Sequence, residues 1–382
     1  MPSNVVELLP VPLTDRKRVE RFLRVPWHIY REYHQSPNWV PPILLNQRRF
    51  LHLRKNPFFE HAECSFWIAH VGGRDVGRIA AVDDADWVRF NGQRIGYFGF
   101  FESPDDPAVA RTLLDAAFDF LRQRGIVEVI GPLSLSTNHQ TGLLVDGFDS
   151  DPCIEMPYNP PFYDRLLKEY GLEKRKELWQ WRIDIAKPIL PRIVNLANRI
   201  RARNRISVRR MERRNWDAEV ESLLEVYNDA WSELWGFVPL RAKEMRYLAA
   251  NLKLVLRPEL ALMAEVDGQP VAICITIMDI NPILKRLNGR LFPTGLIRFL
   301  WDFKIRSKVS SGRLIIAGIK RGYRRWGIGP VLYVESYKAA VGLGWTHIDI
   351  GWTLEDNDDA NRVLLALGGK KIKTFRVYGR QF

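Results

Sequence analysis

The segment Tyr323-Arg324-Arg325-Trp326-Gly327-Ile328-Gly329 carries the most specific chemistry in the chain. It follows an apolar run at 314–319 that reads as a strand. It precedes a helix-period segment from 330 to about 342, with Pro330 acceptable in the first turn. A strand, then Arg-x-x-Gly-x-Gly, then a helix builds a cradle for an anion. Gly327 and Gly329 let the backbone curl and approach a ligand closely. The N–H groups of the turn and of the helix start, with Ile328 among them, point at the anion. Arg324 and Arg325 add charge, and the ligand class is a pyrophosphate. The same turn can also serve as a plain connector, a reading that spacing alone leaves open.

Other side chains have types suited to acid–base work. His139, in Asn138-His139-Gln140, fits a general base because histidine titrates near neutrality, and it equally fits a solvent-facing loop residue. Asp146, in Leu144-Val145-Asp146-Gly147-Phe148, fits a binder of a substrate ammonium or a turn carboxylate paired with its own backbone. Tyr158 and Tyr163, in a proline-rich segment, fit packing residues or the lining of a groove. Glu355 fits a favourable charge at a helix start or a polar group at a site.

The elements that must position these residues repeat at the scale of a domain. In the second half, helices at 217–234 and 241–256 precede strands at 261–266 and 271–278. The strand, glycine turn and helix follow, then a strand with Ile348-Asp349-Ile350, a helix at 358–367 and a closing strand at 374–378. In the first half the strands fall at 66–71, 77–82, 97–101, 127–130 and 178–183, with helices at 107–124 and 162–170. Where the second half has its glycine turn, the first has Glu102-Ser103-Pro104-Asp105-Asp106, which lacks glycine and repels an anion. Two domains are expected: 1–190, without an intact phosphate loop, and 191–382, with one.

The 382 residues carry a net charge of +13, and hydrophobic content is 46%. This suits a globular protein with an acidic partner, such as a nucleotide-bearing substrate, an acyl carrier protein or an anionic membrane. Cys64, Cys153 and Cys274 lie far apart, with no metal spacing, and suit a reducing compartment. There is no secretory pattern at the start and no apolar stretch near the ~18 residues of a membrane span. The expected location is cytoplasmic, peripheral on the inner face of the membrane. The stretch 191–214 is rich in arginine with Glu212 as its only acid, and Ile193, Leu196 and Ile200 give it an apolar stripe. A basic insertion at 282–308 holds Leu296, Phe299, Leu300 and Phe303 at helical spacing, flanked by cations that include Arg306 and Lys308. That insertion suits an anionic headgroup layer, or a helix packed on its own domain.

With Arg324–Gly329 at the turn after the fourth strand, the second half resembles the GNAT superfamily of acyl-CoA N-acyltransferases. The whole chain resembles a bacterial family of tandem GNAT-like proteins that includes ceramide synthases. Gly131-Pro132-Leu133-Ser134, Asn138 through Asp149, Pro157 through Tyr163, and Trp352-Thr353-Leu354-Glu355-Asp356-Asn357 carry that likeness. The resemblance implies an α/β (α+β) fold of two GNAT-like domains, each a mixed, mostly antiparallel twisted sheet flanked by helices. It implies acyl-CoA or an acyl carrier protein as donor, a lipidic amine such as a sphingoid base as acceptor, and neither a tightly bound cofactor nor a metal. The pyrophosphate would sit at Arg324–Gly329 and the pantetheine along 314–319, with an N–H near 317–319, up to Ile319, facing the oxyanion. Asp349, Glu355 and Trp352 would lie near the acceptor, with Asn138, Asp146 and Tyr158 on the first-half side. Asn357 matches the residue that opens the last GNAT helix. The tyrosine seven residues later, the usual general acid, is here Leu364, which leaves Tyr378 and Tyr323 as candidate substitutes, or a CoA thiolate that leaves with little help because thiols titrate near ~8.5. An aminoacyl-tRNA-dependent transferase and a non-catalytic acyl-CoA binder are the alternatives. Nucleic acid is not expected, because stacking aromatics amid basic residues are missing.

Overall fold

The structure, a computed structural model, describes residues 5–33, 36–305 and 309–382. The first half runs β1 (Glu7–Pro10), α1 (Arg16–His28), α2 (Leu44–Phe50), β2 (Ala62–Val71), β3 (Arg74–Asp84), α3 (Ala85–Asn91), β4 (Ile95–Glu102), α4 (Pro107–Gln123), β5 (Glu128–Gly131), β6 (Leu143–Asp146), α5 (Tyr163–Glu169) and β7 (Glu173–Asp184). The second runs α6 (Pro191–Asn204), β8 (Ile206–Arg210), α7 (Trp216–Trp231), α8 (Ala242–Leu252), β9 (Leu256–Val266), β10 (Gln269–Met278), α9 (Asn281–Leu287), α10 (Gly295–Leu300), β11 (Ser311–Ile319), α11 (Ile328–Gly342), β12 (His347–Leu354), α12 (Asp358–Ala366) and β13 (Lys370–Gln381).

Local sequence explains these elements. α4 buries Val109, Leu113, Leu114, Ala117, Phe118 and Leu121 along one stripe, opens on Pro107 and is capped by the Asp106 side chain. In β10, Ile273, Ile275 and Ile277 face the core under α7, while Ala272 and Cys274 face Ile328 and Leu332 of α11. A strand covered on both faces is apolar throughout. α6, the arginine-rich stretch, sets Ile193, Ala197 and Ile200 against Val331 and Val334 of α11, while Leu196 stays exposed.

A single 13-stranded sheet runs through both halves in the order β1-β2-β3-β4-β5-β13-β7-β12-β11-β10-β9-β8, with β6 beside β13. The pairs β4–β5 and β11–β12 are parallel, and the others are antiparallel. The order reads the same from either end when each first-half strand is matched to its second-half counterpart. The last strands are exchanged: β13 closes the first half by pairing with β5, and β7 closes the second by pairing with β12. The twisted, mostly antiparallel mixed sheet is therefore as expected. The two sheets differ from the sequence reading in being fused, because β7 and β13 also pair with each other.

A buried charge cluster also joins the halves. His61 Nδ1 lies 2.9 Å from Asp84, and Nε2 lies 3.3 Å from Glu244 across the boundary. Arg241 makes a two-pronged bond to Asp86, with Nη2 to Oδ1 at 2.6 Å. Burial disfavours charged His61, but the hydrogen bond to Asp84 and the nearby charges of Asp84 and Glu244 outweigh it and raise the pKa to about 9. Because the folded value lies above the ordinary histidine value of 6.5, this stabilisation is complete below about pH 6.5 and is lost as pH rises through about 9. The melting temperature of His61→Gln should therefore lie below that of the wild type at pH 6.5, by several degrees. The gap should narrow steadily up to pH 10 in calorimetry, and a constant gap would contradict the linkage.

Candidate functional site: the cleft between β11 and β12

The parallel pair β11–β12 holds register only from Ser311–His347 to Leu314–Ile350. Beyond that, Ile315 is an extra residue in β11, opposite the step from Ile275 to Thr276 in β10, which makes a bulge. β12 bends towards β7 through an irregularity between Ile350 and Thr353. The strands part, and the segment from Ile315 to Ile319 keeps β10 on one side and an open edge on the other. Ala317 is exposed although it lies mid-sheet. An open strand edge inside a sheet is a template for the amides of an extended ligand.

The glycine turn stands at the far end of that edge. Gly327 adopts φ +74°, a conformation that calls for glycine, and its Cβ position lies 2.8 Å from the terminal methyl of Ile200 of α6. α11 starts at Ile328, two residues earlier than the sequence reading, with no side-chain cap and no acid in its first turn among the described residues. Its N-terminus is thus open to an anion. Arg325 is exposed, as is Trp326, whose ring lies 5.1 Å from that of Tyr323. Arg324 is placed differently from the expectation. It bonds Glu233 at 2.9 Å and the Ala230 carbonyl at 3.0 Å, so it fastens the turn to α7 and is not left open to a phosphate. Arg321 N and Lys320 Nζ are likewise held by Asp229 and Glu225 of the same helix.

The matching position in the first half is filled by the chain itself. Leu133 N donates to the Phe98 carbonyl at 2.8 Å, and a side chain at Gly99 would collide with the Leu133 carbonyl. β4 is buried along its whole length. The start of α4 is already occupied by Asp106, which accepts from Ala108 N at 2.8 Å. The acidic loop read from the sequence is present, but the plug at Leu133 is the larger difference between the halves.

The residues singled out in the sequence scatter. Ile319 ends the open edge, paired to Ala272. Asn357 caps α12 by accepting from Ala360 N at 3.3 Å, and Leu364 is buried in that helix. Asp349 lies just below the point of separation, buried in a two-pronged bond to Arg182 at 2.6 and 2.8 Å. Its charge is committed, so it does not act as a free base. Trp352 follows the separation point, half-buried against the first-half core. Asn138 accepts from Tyr227 Oη at 2.8 Å and donates to the Val238 carbonyl at 3.2 Å, which joins the first half to α7.

Others lie away from the cleft. His139 is not the solvent-facing residue of one sequence reading: it bonds Ser136 and packs on the edges of Phe50 and Phe58. Burial lowers its pKa to about 4, so it is neutral at pH 7. Tyr378 Oη donates to Asp164 beneath α5, and burial together with that carboxylate pushes its pKa up. Glu355 takes Lys174 at 2.6 Å and Glu177 N at 3.0 Å. Tyr158 Oη meets Ser36 Oγ at 2.6 Å, and its carbonyl accepts from Tyr30. Asp146 stands exposed at the end of β6 beside Thr374.

Sequence reasoning missed the lid over the edge. Trp231 of α7 lies directly on Gly318, where a side chain would collide with its ring, and Tyr227 stacks on Trp231 at 4.8 Å. The only signal was the glycine within an otherwise apolar strand. Arg313, buried, reaches from β11 to the Gly351 carbonyl at 3.0 Å and the Ile154 carbonyl at 2.8 Å, bridging the base of the cleft. A groove of about 400 Å³ also exists between Ile189, Ile193, Tyr333 and His347, at the opposite end of β12 from the glycine turn.

A sheet opened at its parallel pair, a bulge beside the opening and a helix N-terminus at its far end define the tandem GNAT architecture. The chain aligns with a tandem GNAT protein from the clavulanic acid biosynthesis pathway over 99% of its own length and 98% of that chain, at TM-score 0.59 and 12% identity. It also aligns with a GCN5-related N-acetyltransferase from Sphaerobacter thermophilus over 100% and 97%, at TM-score 0.55 and 11% identity. The sequence is 34% identical over 381 residues to a bacterial ceramide synthase of Caulobacter vibrioides, covering 98% of each chain. It is 31% identical over 375 residues to protein YghO of Escherichia coli, covering 96% and 94%. The chain belongs to the family of the bacterial ceramide synthase, and the protein is a GNAT-type N-acyltransferase. No protein-family profile matches it.

Two glycine substitutions separate fold from ligand. Gly327→Ala should cost about 1–2 kcal/mol of stability through its left-handed φ. Gly329, with nothing within 4 Å of its Cβ position, should accept alanine without a change in melting temperature. That methyl would stand where the anion approaches, so palmitoyl-CoA affinity in titration calorimetry should fall about tenfold or more, or ~1.4 kcal/mol. Unchanged affinity in Gly329→Ala would place the anion elsewhere.

Proposed function

We propose that the protein transfers a long acyl group from a CoA thioester to the amine of a long-chain base, giving a ceramide-type amide. The observation that carries this reading is the junction of the open β11 edge with an uncapped helix N-terminus. An extended pantetheine amide chain fits the edge, and a pyrophosphate fits the helix start. The pyrophosphate contacts come from the backbone at 327–331 and from Arg325, with Arg324 holding the turn. Asn357, as a cap, orders the last helix. An N–H of the bulged segment stabilises the oxyanion as the amine attacks. The name of the 34%-identical relative supports an amide-forming reaction on a lipidic amine.

The insertion supports a lipidic acceptor. α10 has two apolar faces, which reconciles both sequence readings. Phe299 is buried and stacks with Phe303 at 5.4 Å, facing the core. On the other side Phe292, Ile297 and Trp301 are exposed by 63%, 71% and 51%. Arg290, Arg298 and Lys304 stand exposed among them. Arg306 and Lys308 lie outside the described residues. Exposed aromatic and aliphatic groups amid cations suit an anionic bilayer surface, and no helix among the described residues is long and apolar enough to cross one. We infer a peripheral location on the inner face of the cytoplasmic membrane. Arg199, Arg203 and Arg205, exposed on and after α6 next to the glycine turn, favour a second donor: an acyl chain on an acidic carrier protein. We also propose that each half forms its own domain, 1–190 and 191–382, apart from the exchanged last strands.

Purified protein with palmitoyl-CoA and sphinganine should give the amide by mass spectrometry, faster in the presence of anionic vesicles than of neutral ones. Free CoA with no amide from any amine, given either palmitoyl-CoA or a palmitoyl carrier protein, would contradict the proposal.

A further inference from the structure

The loop between β6 and α5 comes from the first half, yet second-half residues hold it. Lys373 of β13 donates to the Gly147 and Ser150 carbonyls, the latter at 2.8 Å. Lys285 of α9 grips the Asp151 carboxylate at 2.7 and 2.8 Å, and Asn281 Nδ2 donates to the Pro152 carbonyl at 2.7 Å. Asp279 accepts from Ile154 N at 3.1 Å, and Arg313 donates to the Ile154 carbonyl at 2.8 Å. Met156 comes within 3.4 Å of the Cβ position of Gly351, at the point where β12 leaves β11. The residue between these last two anchors is Glu155.

Glu155 combines two features found together in no other acid of this loop. Its backbone stands at φ +60°, a conformation in which a glutamate is uncommon. Such strain persists only where the surroundings over-determine it, as the anchors on both sides do here. Its carboxylate is exposed and has no hydrogen bond or ion pair among the described residues. Asp349 is committed to Arg182, and Asp279 to the N–H groups of Ile154 and Asn281. Protein nevertheless surrounds Glu155 closely enough that desolvation raises its pKa, opposed by the charge of Arg313. Access to solvent within dense surroundings describes a group on the wall of a cleft.

We propose that Glu155 is the catalytic residue that receives the acceptor's ammonium at the mouth of the β11–β12 cleft and takes a proton from it. This rests on the acyl-transfer reading above. The ammonium gives one proton to the Glu155 carboxylate, which passes it to solvent. The freed amine attacks the thioester carbonyl, the C–N bond forms and the C–S bond breaks. The second proton of the nitrogen goes to the departing thiolate, leaving an amide and a free thiol. The charge that bears on Glu155 is that of Arg313 from β11.

The test compares wild type with Glu155→Gln on whichever amine the wild type acylates, so failure of sphinganine as acceptor leaves the comparison intact. The expected result is a fall in kcat of about 10²-fold or more. Affinity for palmitoyl-CoA should be unchanged within about twofold, and the acidic limb of the pH–kcat profile should be lost. Glu155→Gly, which relieves the strained φ, should melt at or above the wild-type temperature while losing the same activity. Independently of turnover, dodecylamine binding in the presence of CoA should weaken at least tenfold in Glu155→Gln. Retention of kcat within threefold in Glu155→Gln would overturn the proposal, as would unchanged dodecylamine affinity.

Discussion

The separation of two parallel strands is the constraint on which the rest depends. A continuous β11–β12 ladder would satisfy every backbone group and leave no place for a ligand. The bulge at Ile315 and the bend of β12 after Ile350 break it. They leave an open strand edge in the middle of the sheet, the kind of edge to which an extended chain can pair. Arg313 makes the opening stable by spanning its base to the Gly351 carbonyl. The edge leads into the turn at Gly327, which Glu225 and Asp229 of α7 and Glu233 just after it hold in place.

Near-symmetry of the halves makes their differences informative. Both have a parallel pair that diverges, but in the first half the chain from Pro132 onward re-enters the gap and bonds β4. That segment then continues to Asn138, which meets Tyr227, and to the loop that carries Glu155. The half with the filled cleft therefore supplies the wall of the open one. Exchange of β7 and β13 ties the two halves into one sheet. Lys373, which holds the Glu155 loop, lies on the strand that closes the first-half sheet. The insertion joins the same network, since α9 grips the loop through Asn281 and Lys285 while the following segment exposes apolar side chains.

Much of this was legible in the sequence. Apolar alternation and turn glycines identified most strands to within a few residues, and the Arg-x-x-Gly-x-Gly turn marked the junction where α11 begins without a side-chain cap. The exchange of last strands left no local trace, because β7 and β13 have the same patterning whichever neighbour they take. Side-chain roles were the least legible. Arg324 and Asp349 were read as ligand-facing, yet both are consumed by ion pairs whose partners, Glu233 and Arg182, are remote in sequence. The titration range of histidine suggests a base at His139, but burial against Phe58 and Phe50 decides its state. Glu155 gave no signal, since neither a positive φ nor anchors drawn from β10, β11, α9 and β13 can be read from its neighbours in the chain.

The most direct test of the single open cleft is amide hydrogen exchange, followed by mass spectrometry, with and without palmitoyl-CoA and with no amine present. Slowed exchange is expected at 315–319 and at the start of α11, with no change along β4 or at the start of α4. Protection in β4, or none in 315–319, would contradict a single open cleft.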